Sequence, residues 1–496
     1  YRGYDSAGVA VISSEQKLQV RKAVGRLKVL SDEIHGGADI EGCIGLGHTR
    51  WATHGAPNIV NSHPHVSEDG KFAVIHNGII ENYVEIKEFL IGQGITFKSE
   101  TDTEVVAQLL EFYYNECHDF LEAVGRVLRR IEGAYALGML CADCPDRIIA
   151  ARKDAPLLLG YGEGCNFLAS DVTAIIKHTR DVAYMEDGEV AVLTCDGIEV
   201  YDALEQKVEK KHFTIDWEVS AAEKGGYQHF MLKEIMEQPE ALRRAISPRV
   251  KEGKVVFDDL KLPVEKMREF TRIFIVACGS SYHVGMLGKY TLEHLLRRNV
   301  EVVLASEFRY CDPIVDDKSL VIVISQSGET LDTMAALREA KKRGGYILSI
   351  VNVVGSSIAR ESDDVLYTWA GPEIAVATTK AYSTQLAVLD MIGLAFGSAL
   401  GTVKKDEYDE AVAELQKLPG KMEQFLASDS CKDIPKYASQ YFNHSSVFFI
   451  GRNLDYALGL EGSLKLKEIS YIHSEAYASG ELKHGTISLI EDGTLV

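Results

Sequence analysis

The order of apolar and polar positions changes about halfway along the chain. Residues 1 to about 212 hold short apolar runs typical of strands: AGVAVI, GLGHTRWA, KFAVIHNG, AYALGML, RIIAARK and EVAVLT. Two segments with helical spacing, 103–116 and 120–131, interrupt these runs. Strands that cluster, with helices set apart from them, predict an α+β domain.

From about residue 270 onward, apolar strands alternate with polar turns and helices, which predicts an α/β domain with a mostly parallel sheet. Segments 272–296 and 446–469 share one layout of strand, glycine, polar turn and long helix, which indicates two copies of one domain. The polar stretch before them is interpreted as a linker that leads into a helix, with Pro239 at a break or in a first turn. The predicted domain boundaries are 1–215, a linker 216–245, then 246–405 and 406–496.

The stretch LVIVISQSGETLDT joins a buried, parallel strand at 321–324 to a helix at 330–343. The turn between them carries Ser325, Gln326, Ser327 and Thr330, and it lacks the lysine of a Walker motif. One hydroxyl is enough to cap a helix. Three hydroxyls beside a glycine indicate an anion site at the helix N-terminus, with capping alone as the alternative.

Composition limits the class of protein. A chain of 496 residues with 46% apolar and 25% charged residues is an ordinary globular protein of two to four domains. Its net charge of −20 argues against nucleic acid or anionic membrane as the main partner. No apolar span long enough for a bilayer and no signal peptide is evident. Nine cysteines without a framework favour reduced thiols in a cytoplasmic enzyme.

Further polar clusters follow other predicted strands. Cys278-Gly279-Ser280-Ser281 is a second strand-end turn, and 373–380 is a third cluster. Turns at the carboxyl ends of parallel strands converge, so their hydroxyls could cradle one phosphate. Glu461, Lys465 and Glu468 fall on one helical face, where a solvated Glu–Lys pair is the alternative interpretation. His484 is equally compatible with a surface histidine.

These motifs together resemble a known family. ISQSGET, ACGSS, EIAVATTKA and LKLKEISYIHSEAYASGELKHG are similar to the paired sugar-isomerase (SIS) domains of the glutamine–fructose-6-phosphate aminotransferases. YRGYDSAGVAV, GHTRWATHG, NSHPH, HNGIIENY and SETDTEV resemble the family's glutaminase domain, and KEIMEQP its connecting segment. The resemblance implies an α+β N-terminal-nucleophile (Ntn) glutaminase domain followed by α/β SIS domains with parallel sheets.

The resemblance also implies an activity. Such an enzyme converts D-fructose 6-phosphate and L-glutamine to D-glucosamine 6-phosphate and L-glutamate, the first step of hexosamine synthesis, as a homodimer without metal or organic cofactor. One alternative is another Ntn glutamine amidotransferase, but the hydroxyl-rich turns argue against it. The other is an SIS-domain regulator that binds sugar phosphates without catalysis, but the presence of Glu468 and His484 argues against it.

The resemblance assigns glutamine-site roles to particular residues. Arg50 would pair with the glutamine α-carboxylate, a planar anion that suits a guanidinium, and Asp102 with the α-ammonium. Asn77 and the Gly78 N–H would form the oxyanion hole. The remaining roles fall to Thr53 and His54 in the amino-acid pocket, Arg2 and Gly3 beside the nucleophile, and Trp51 as the gate for ammonia. Structural alternatives are a core position for Trp51, a hydrogen-bonding role for His54 and a helix cap for Asp102.

In the isomerase half, the implied sugar-phosphate ligands are Ser281, Ser325, Gln326, Ser327, Thr330, Val376 and Thr378. Glu468 resembles the base that moves a proton between C1 and C2. Lys465 would lie next to the hydroxyls of the open-chain sugar. His484 resembles the ring-opening residue, which in this family reaches into a neighbouring subunit's site.

Two features of the family are not found in the printed residues. Its nucleophile is a cysteine at the mature N-terminus, and none of the nine cysteines lies in that context. Its Schiff-base lysine lies in a C-terminal tail. Since the chain opens without methionine and stops after the apparent strand TISLI, we expect both residues to lie outside the printed sequence.

Overall fold

The computed structural model describes residues 5–50, 56–215, 224–258 and 260–496. The chain forms two compact units, Tyr1–Val219 and Ser220–Val496, and each is described by itself. Five predicted site residues lie outside the described residues: Arg2, Gly3, Trp51, Thr53 and His54.

Unit 1 is built mainly from strands. Its helices are α1 (Leu27–Glu33), α2 (Tyr83–Gly92), α3 (Glu104–Cys117) and α4 (Phe120–Leu128). Its strands are β1 (Ser6–Ile12), β2 (Leu18–Val24), β3 (Ile44–Arg50), β4 (His65–Val66), β5 (Phe72–Ile80), β6 (Gly133–Cys141), β7 (Ile148–Lys153), β8 (Leu158–Tyr161), β9 (Asn166–Ala169), β10 (Asp181–Tyr184), β11 (Val190–Leu193), β12 (Ile198–Tyr201), β13 (Lys207–Val208) and β14 (Phe213–Thr214).

The strands of unit 1 form stacked antiparallel sheets. The largest has the order β13-β12-β11-β7-β6-β5-β4, and smaller sheets have the orders β2-β1-β3 and β14-β10-β8-β9. One face of the large sheet packs against α2, α3 and α4 through an apolar core that includes Val74, Leu109 and Leu137. Its other face meets the smaller sheets through residues such as Leu46 and Leu159. The result is an α+β arrangement of helices on sheet on sheet.

Unit 2 alternates strands and helices. Its helices are α5 (Phe230–Met236), α6 (Gln238–Ile246), α7 (Val264–Glu269), α8 (Gly279–Leu296), α9 (Ala305–Phe308), α10 (Leu331–Lys342), α11 (Ser357–Glu361), α12 (Lys380–Leu400), α13 (Lys405–Ala427), α14 (Asp429–Lys432), α15 (Ile434–Tyr441) and α16 (Leu454–Ser470). Its strands are β15 (Val250–Lys251), β16 (Lys254–Val255), β17 (Arg272–Ala277), β18 (Val300–Leu304), β19 (Ser319–Ser325), β20 (Tyr346–Val351), β21 (Asp364–Tyr367), β22 (Ser446–Gly451) and β23 (His473–Ala478).

The main sheet of unit 2 is parallel and is covered on both faces. On β19, Ile322 and Ile324 face one apolar core, whereas Val321 and Val323 face another on the opposite side of the sheet. Strands buried on both faces read as continuous β-branched runs, which explains the LVIVI pattern. Segment 446–470 repeats the strand–helix layout as β22 and α16, with β23 parallel to β22.

The strand order of this sheet predicts the edge at which a ligand would bind. The order is β18-β17-β19-β20-β21, so the chain proceeds outward in both directions from the pair β17 and β19. In open parallel sheets with this order, ligands bind beyond the carboxyl ends of the two strands at which the direction reverses. The end of β17 is followed by Cys278 and the first turn of α8, and the end of β19 is followed by the turn 326–329.

Most predicted elements are confirmed. The predicted helices at 103–116, 120–131 and 330–343 correspond to α3, α4 and α10. Pro239 lies in the first turn of α6. The expected strand at TISLI is wrong, because Thr486–Leu489 is a short 3₁₀ helix.

Helix α12 qualifies the expectation that no span could cross a membrane. In the described part of the chain, it is the helix with the length and composition for such a span. However, 61% of its apolar window is buried within the unit. Val388, Leu389 and Ile392 join the core beside the parallel sheet, as expected for a core helix.

The central strand should dominate the stability of unit 2. Ile322 is 1% exposed and its strand is paired on both sides. We expect Ile322→Ala to lower the free energy of unfolding by about 2–5 kcal/mol, through lost apolar burial and the cavity left behind. Ile314 is 73% exposed, so Ile314→Ala should change stability by no more than about 0.5 kcal/mol. Equal midpoints for the two variants in urea denaturation would contradict this picture of the core.

Candidate active sites

The SQSGET turn follows β19 and leads into α10. Ser325 is buried and its Oγ accepts a hydrogen bond from the Gly328 N–H at 3.0 Å and lies 3.0 Å from the Thr330 Oγ1. The Ser327 Oγ accepts from the Glu329 N–H at 3.1 Å. Thr330 is the N-cap residue of α10, and its side chain makes no capping bond. The hydroxyls therefore shape the turn and do not cap the helix.

Gly328 is required by the geometry of this turn. Its φ is +68°, and a Cβ at this position would lie 2.0 Å from the Ser356 Oγ. A side chain would be strained and would collide with the segment beneath the turn. The turn consequently approaches its neighbours with backbone alone. Gln326 and Ser327 stay partly exposed at the sheet edge.

The second turn contributes Ser281 on the first turn of α8. Its Oγ donates to the Gln385 Oε1 of α12 at 3.1 Å. Gln385 is 1% exposed, and its Nε2 has no hydrogen-bond partner in the described structure. The structure thus joins the ACGSS turn to α12, a contact that the sequence did not predict.

The third cluster is the segment between β21 and α12. Glu373 is buried and accepts a hydrogen bond from the Thr378 Oγ1, as well as from the Thr379 N–H at 2.8 Å. Val376 is 42% exposed. Thr378 therefore already has a carboxylate partner, and Val376 projects an apolar surface from the same segment.

A buried carboxylate connects α16 to the N-terminus of α8. Glu461 is 5% exposed, and its two oxygens lie 2.8 Å from the Ser280 Oγ and 2.8 Å from the His283 Nδ1. The Lys465 Nζ lies 3.5 Å from the same carboxylate. A buried carboxylate is costly unless such partners compensate it. Glu461 is thus not on the solvated face that the spacing allowed.

Lys465 bridges two carboxylates on α16. Its ammonium also contacts the Glu468 Oε2, and the Glu468 side chain is 32% exposed. His484 is exposed in the turn after β23. Within the described residues, no hydrogen bond or ion pair joins the His484 side chain to Lys465 or Glu468. The structure therefore brings Lys465 and Glu468 together but leaves His484 apart from them.

In unit 1, Asn77 and Gly78 lie on β5 at the rim of the large sheet. The His48 Nε2 lies 2.9 Å from the Asn77 Oδ1. Burial lowers the pKa of His48, so the ring is neutral and can donate one hydrogen bond from Nε2. This bond fixes the amide of Asn77 so that its NH₂ group points away from His48, as an oxyanion donor requires.

Gly78 approaches the backbone of β6 closely. Its φ is +132°, and a Cβ there would lie 2.0 Å from the Ala134 carbonyl oxygen. No other residue fits this position without displacing a central strand. The Gly78 N–H is thereby held in a fixed place beside Asn77.

Arg50 and Asp102 are both buried in unit 1. The Arg50 guanidinium at the end of β3 lies 3.9 Å from the Asp5 carboxylate. The Asp102 Oδ2 accepts from the Ile80 N–H at 2.8 Å. Since the N-cap of α3 is Thr103, Asp102 is not a helix cap; it ties the start of α3 to β5.

Four histidines gather behind Asn77: His48, His63, His65 and His76. The rings of His48 and His63 stack at 4.3 Å, and those of His63 and His65 meet edge to face at 4.9 Å. Burial, and secondarily the neighbouring rings, holds the pKa of His63 well below its usual range. Burial also lowers the pKa of His76 to about 4, although Asp102 acts in the opposite direction. The cluster is thus neutral at pH 7.

Sequence reasoning missed several of these residues. His283 and Gln385 were not singled out, and Ser280 was noted only as a member of a turn, because their partners lie more than 100 residues away. His48 lies in GHTRWATHG, where the histidine two positions before Arg50 was the available signal.

The histidine cluster predicts acid sensitivity of unit 1. Unfolded His76 takes up a proton below about pH 6.5, whereas the folded side chain does so only near pH 4. The unfolded state therefore binds more protons in this window, so stability falls as the pH falls from 6.5 to 4, by up to about 3 kcal/mol from this residue. Urea denaturation, read out by proteolysis within residues 56–215, should show a shallower pH slope for His76→Gln.

The matched control is the exposed His178 of the same unit. His178→Gln should keep the slope of the unchanged protein. Identical slopes in all three proteins would remove the buried cluster as the cause.

Comparisons with known proteins agree with this architecture. A glutamine amidotransferase domain matches residues 7–210, and an SIS domain matches residues 266–395 and 440–496. The chain is 55% identical, over 100% of its length and 81% of the relative, to glutamine–fructose-6-phosphate aminotransferase (isomerizing) of Caldanaerobacter subterraneus subsp. tengcongensis. It is 52% identical, with the same coverage, to the enzyme of that name from Clostridium tetani.

A solved structure is similar to part of this chain. It is the C-terminal domain of glucosamine-fructose-6-phosphate aminotransferase from Francisella tularensis, with 41% identity and a TM-score of 0.52 over 55% of this chain and 76% of that chain. The predicted order, an α+β glutaminase domain before α/β SIS domains, is confirmed. The chain belongs to the family of isomerizing glutamine–fructose-6-phosphate aminotransferases.

Proposed function

We propose that the protein transfers the amide nitrogen of L-glutamine to D-fructose 6-phosphate, yielding D-glucosamine 6-phosphate and L-glutamate. The observation that carries this proposal is the 55% identity to such an enzyme over the full length of the chain. The reaction is the first step of hexosamine synthesis. We place it in the cytoplasm, and we keep the domain boundaries 1–215, 246–405 and 406–496.

In the glutaminase unit, the described residues can bind and polarise glutamine. The Arg50 guanidinium suits the α-carboxylate, and Asp102 suits the α-ammonium. Asn77 and the Gly78 N–H would stabilise the negative oxygen that forms when the amide carbon is attacked. His48 supports this role because it fixes the Asn77 amide. Thr53, His54, Arg2, Gly3 and Trp51 keep their predicted roles as proposals.

In the isomerase unit, the phosphate of the sugar would bind at the N-termini of α8 and α10. Backbone N–H groups and the positive end of a helix favour an anion there. Ser281, Ser327 and Thr330 add hydroxyl donors, and the remaining proposed ligands are Ser325, Gln326, Val376 and Thr378. Both turns lie at the reversal point of the sheet, which supports this location.

Proton transfer is assigned to the α16 side chains. When the nitrogen is bound at C2 as an imine, Glu468 would take a proton from C1 and return it at C2, while the C1 hydroxyl loses its proton and the imine nitrogen gains one, which leaves the 2-amino aldehyde. Lys465, in contact with Glu468, would bind the open-chain hydroxyls. His484 would open the sugar ring in a second copy of the chain, and its exposure apart from Glu468 supports a homodimer.

Removal of one hydroxyl tests the phosphate site. Hydrogen bonds to a charged group contribute about 1.5–3 kcal/mol, so Ser327→Ala should weaken glucosamine 6-phosphate binding about tenfold or more. Titration calorimetry measures the effect. The exposed Ser439 of α15 provides the control variant Ser439→Ala, for which affinity should not change. Equal affinities for both variants would return the turn to a purely structural role.

Removal of the proposed base tests the whole reaction. The complete protein encoded by the gene should release glutamate and glucosamine 6-phosphate in equal amounts. Glu468→Gln should lower amino-sugar formation by about 10²–10⁴-fold, the usual contribution of a general base, because the neutral amide cannot accept the proton. Glutamine hydrolysis should persist, since its residues lie in unit 1.

The exposed Glu410 of α13 offers the matched control Glu410→Gln, which should retain both activities. A parallel loss of both activities in Glu468→Gln would assign that residue to the fold. Absence of amino sugar with the unchanged protein would contradict the proposed function itself.

A further inference from the structure

Side-chain contacts connect two segments of unit 2 that are far apart in sequence. One is the junction of α5 and α6, formed by residues 233–238 and called here the 233–238 junction. The other is the 373–380 segment, which connects β21 to α12 and forms neither helix nor strand between residues 373 and 379. Backbone groups in such a segment need acceptors from elsewhere when they are buried.

Glu234 supplies the acceptors. It is 2% exposed, and its Oε1 accepts from the Ile374 N–H at 2.5 Å and from the Ala375 N–H at 3.0 Å. Its Oε2 lies 3.3 Å from the Ala375 N–H. One carboxylate thereby satisfies two consecutive amides immediately before Val376. Such bonds are about twice as strong when the carboxylate is ionised as when it is neutral.

The following residues of the 233–238 junction form further contacts with the start of α12. The Glu237 Oε2 accepts from the Lys380 Nζ at 2.6 Å, and Lys380 is 2% exposed. The Gln238 Oε1 accepts from the Ser383 Oγ at 2.5 Å. Contacts therefore hold the 373–380 segment before Val376 and after Thr378, while Val376 is exposed and Thr378 is partly exposed.

Burial makes the charged form of the Glu234 side chain energetically unfavourable. Burial raises its pKa to about 7, and the nearby Glu373 adds to the effect, whereas the two amides and Lys380 oppose it. An apolar side chain would avoid this cost but would leave the N–H groups of the buried Ile374 and the partly buried Ala375 without this acceptor. A strongly perturbed carboxylate beside a ligand site is typical of a functional position.

We propose that Glu234 is a positioning residue that holds Val376 and Thr378 in place for the sugar phosphate, with Glu237 and Gln238 as its auxiliaries. This inference rests on the proposed function. Glu234 touches the backbone of the segment and not the substrate, so it acts on binding and not on proton transfer. Its loss should consequently appear in the KM for fructose 6-phosphate and much less in kcat.

The first measurement needs no substrate. Hydrogen–deuterium exchange of the complete protein, read on peptides covering 372–380, should be faster by about tenfold or more in Glu234→Ala, because both amides lose their acceptor. In Glu234→Gln the amide oxygen can still accept, so exchange should lie close to that of the unchanged protein. Unaltered exchange in Glu234→Ala would overturn the proposal.

The second measurement tests whether the contacts of Glu234 affect the binding of fructose 6-phosphate. Glu234→Ala should raise the KM for fructose 6-phosphate about tenfold, change kcat less than about threefold, and leave glutamine hydrolysis intact. Glu234→Gln should restore the KM to within about threefold. Faster exchange with an unchanged KM would overturn the role in sugar binding, as would equal losses in KM and kcat without rescue by glutamine.

A milder variant covers the case in which Glu234→Ala does not fold. Glu237→Gln removes the charge that faces Lys380 but leaves Glu234 in place, and it should raise the KM by a smaller factor with faster exchange at 379–381. No change in either quantity would overturn the proposal. If the protein without substitutions forms no amino sugar, the proposed function is contradicted. The exchange comparison tests independently whether Glu234 holds the 373–380 segment.

Discussion

Burial of the parallel sheet on both faces limits where a binding site can form in unit 2. Side chains of β17 and β19 alternate between two apolar cores, so neither face of the sheet offers room for a polar ligand. Polar groups can collect only beyond the strand ends. The strand order reverses between β17 and β19, and the first turn of α8 and the turn 326–329 lie at that edge, where open sheets of this order bind ligands. The position of the proposed sugar site follows from how the core is covered.

The glutaminase unit meets a different constraint. Its central strands are antiparallel, and Asn77 and Gly78 lie on β5 itself. Here the site depends on close contact between backbones, because Gly78 packs where any Cβ would meet the Ala134 carbonyl. The buried neutral histidines then orient Asn77 through His48. Rigidity comes from packing under the strand, so the fold itself holds Asn77 and the Gly78 N–H in place for the proposed donor role.

Local patterns predicted the elements well and the site contacts poorly. Apolar runs and helical spacing located α3, α4, α10 and β19, since these signals lie within one segment. The strand expected at TISLI failed because an apolar run without alternation does not specify conformation. The bonds from Ser280 to Glu461 and from Glu234 to Ile374 span 181 and 140 residues. No periodicity encodes such pairs, and spacing alone favoured a solvated role for Glu461.

Buried carboxylates recur in this protein as acceptors for backbone amides. Asp102 serves Ile80, Glu234 serves Ile374 and Ala375, and Asp364 serves Lys261 and Leu262 at 2.9 and 2.8 Å. Each ties an irregular segment to a regular element. An amide or hydroxyl could accept too, but a carboxylate offers two oxygens and stronger bonds for the same space. The acidic residues therefore do more than set the net charge of −20: a portion of them replaces the hydrogen-bond ladders that the segments around both sites lack.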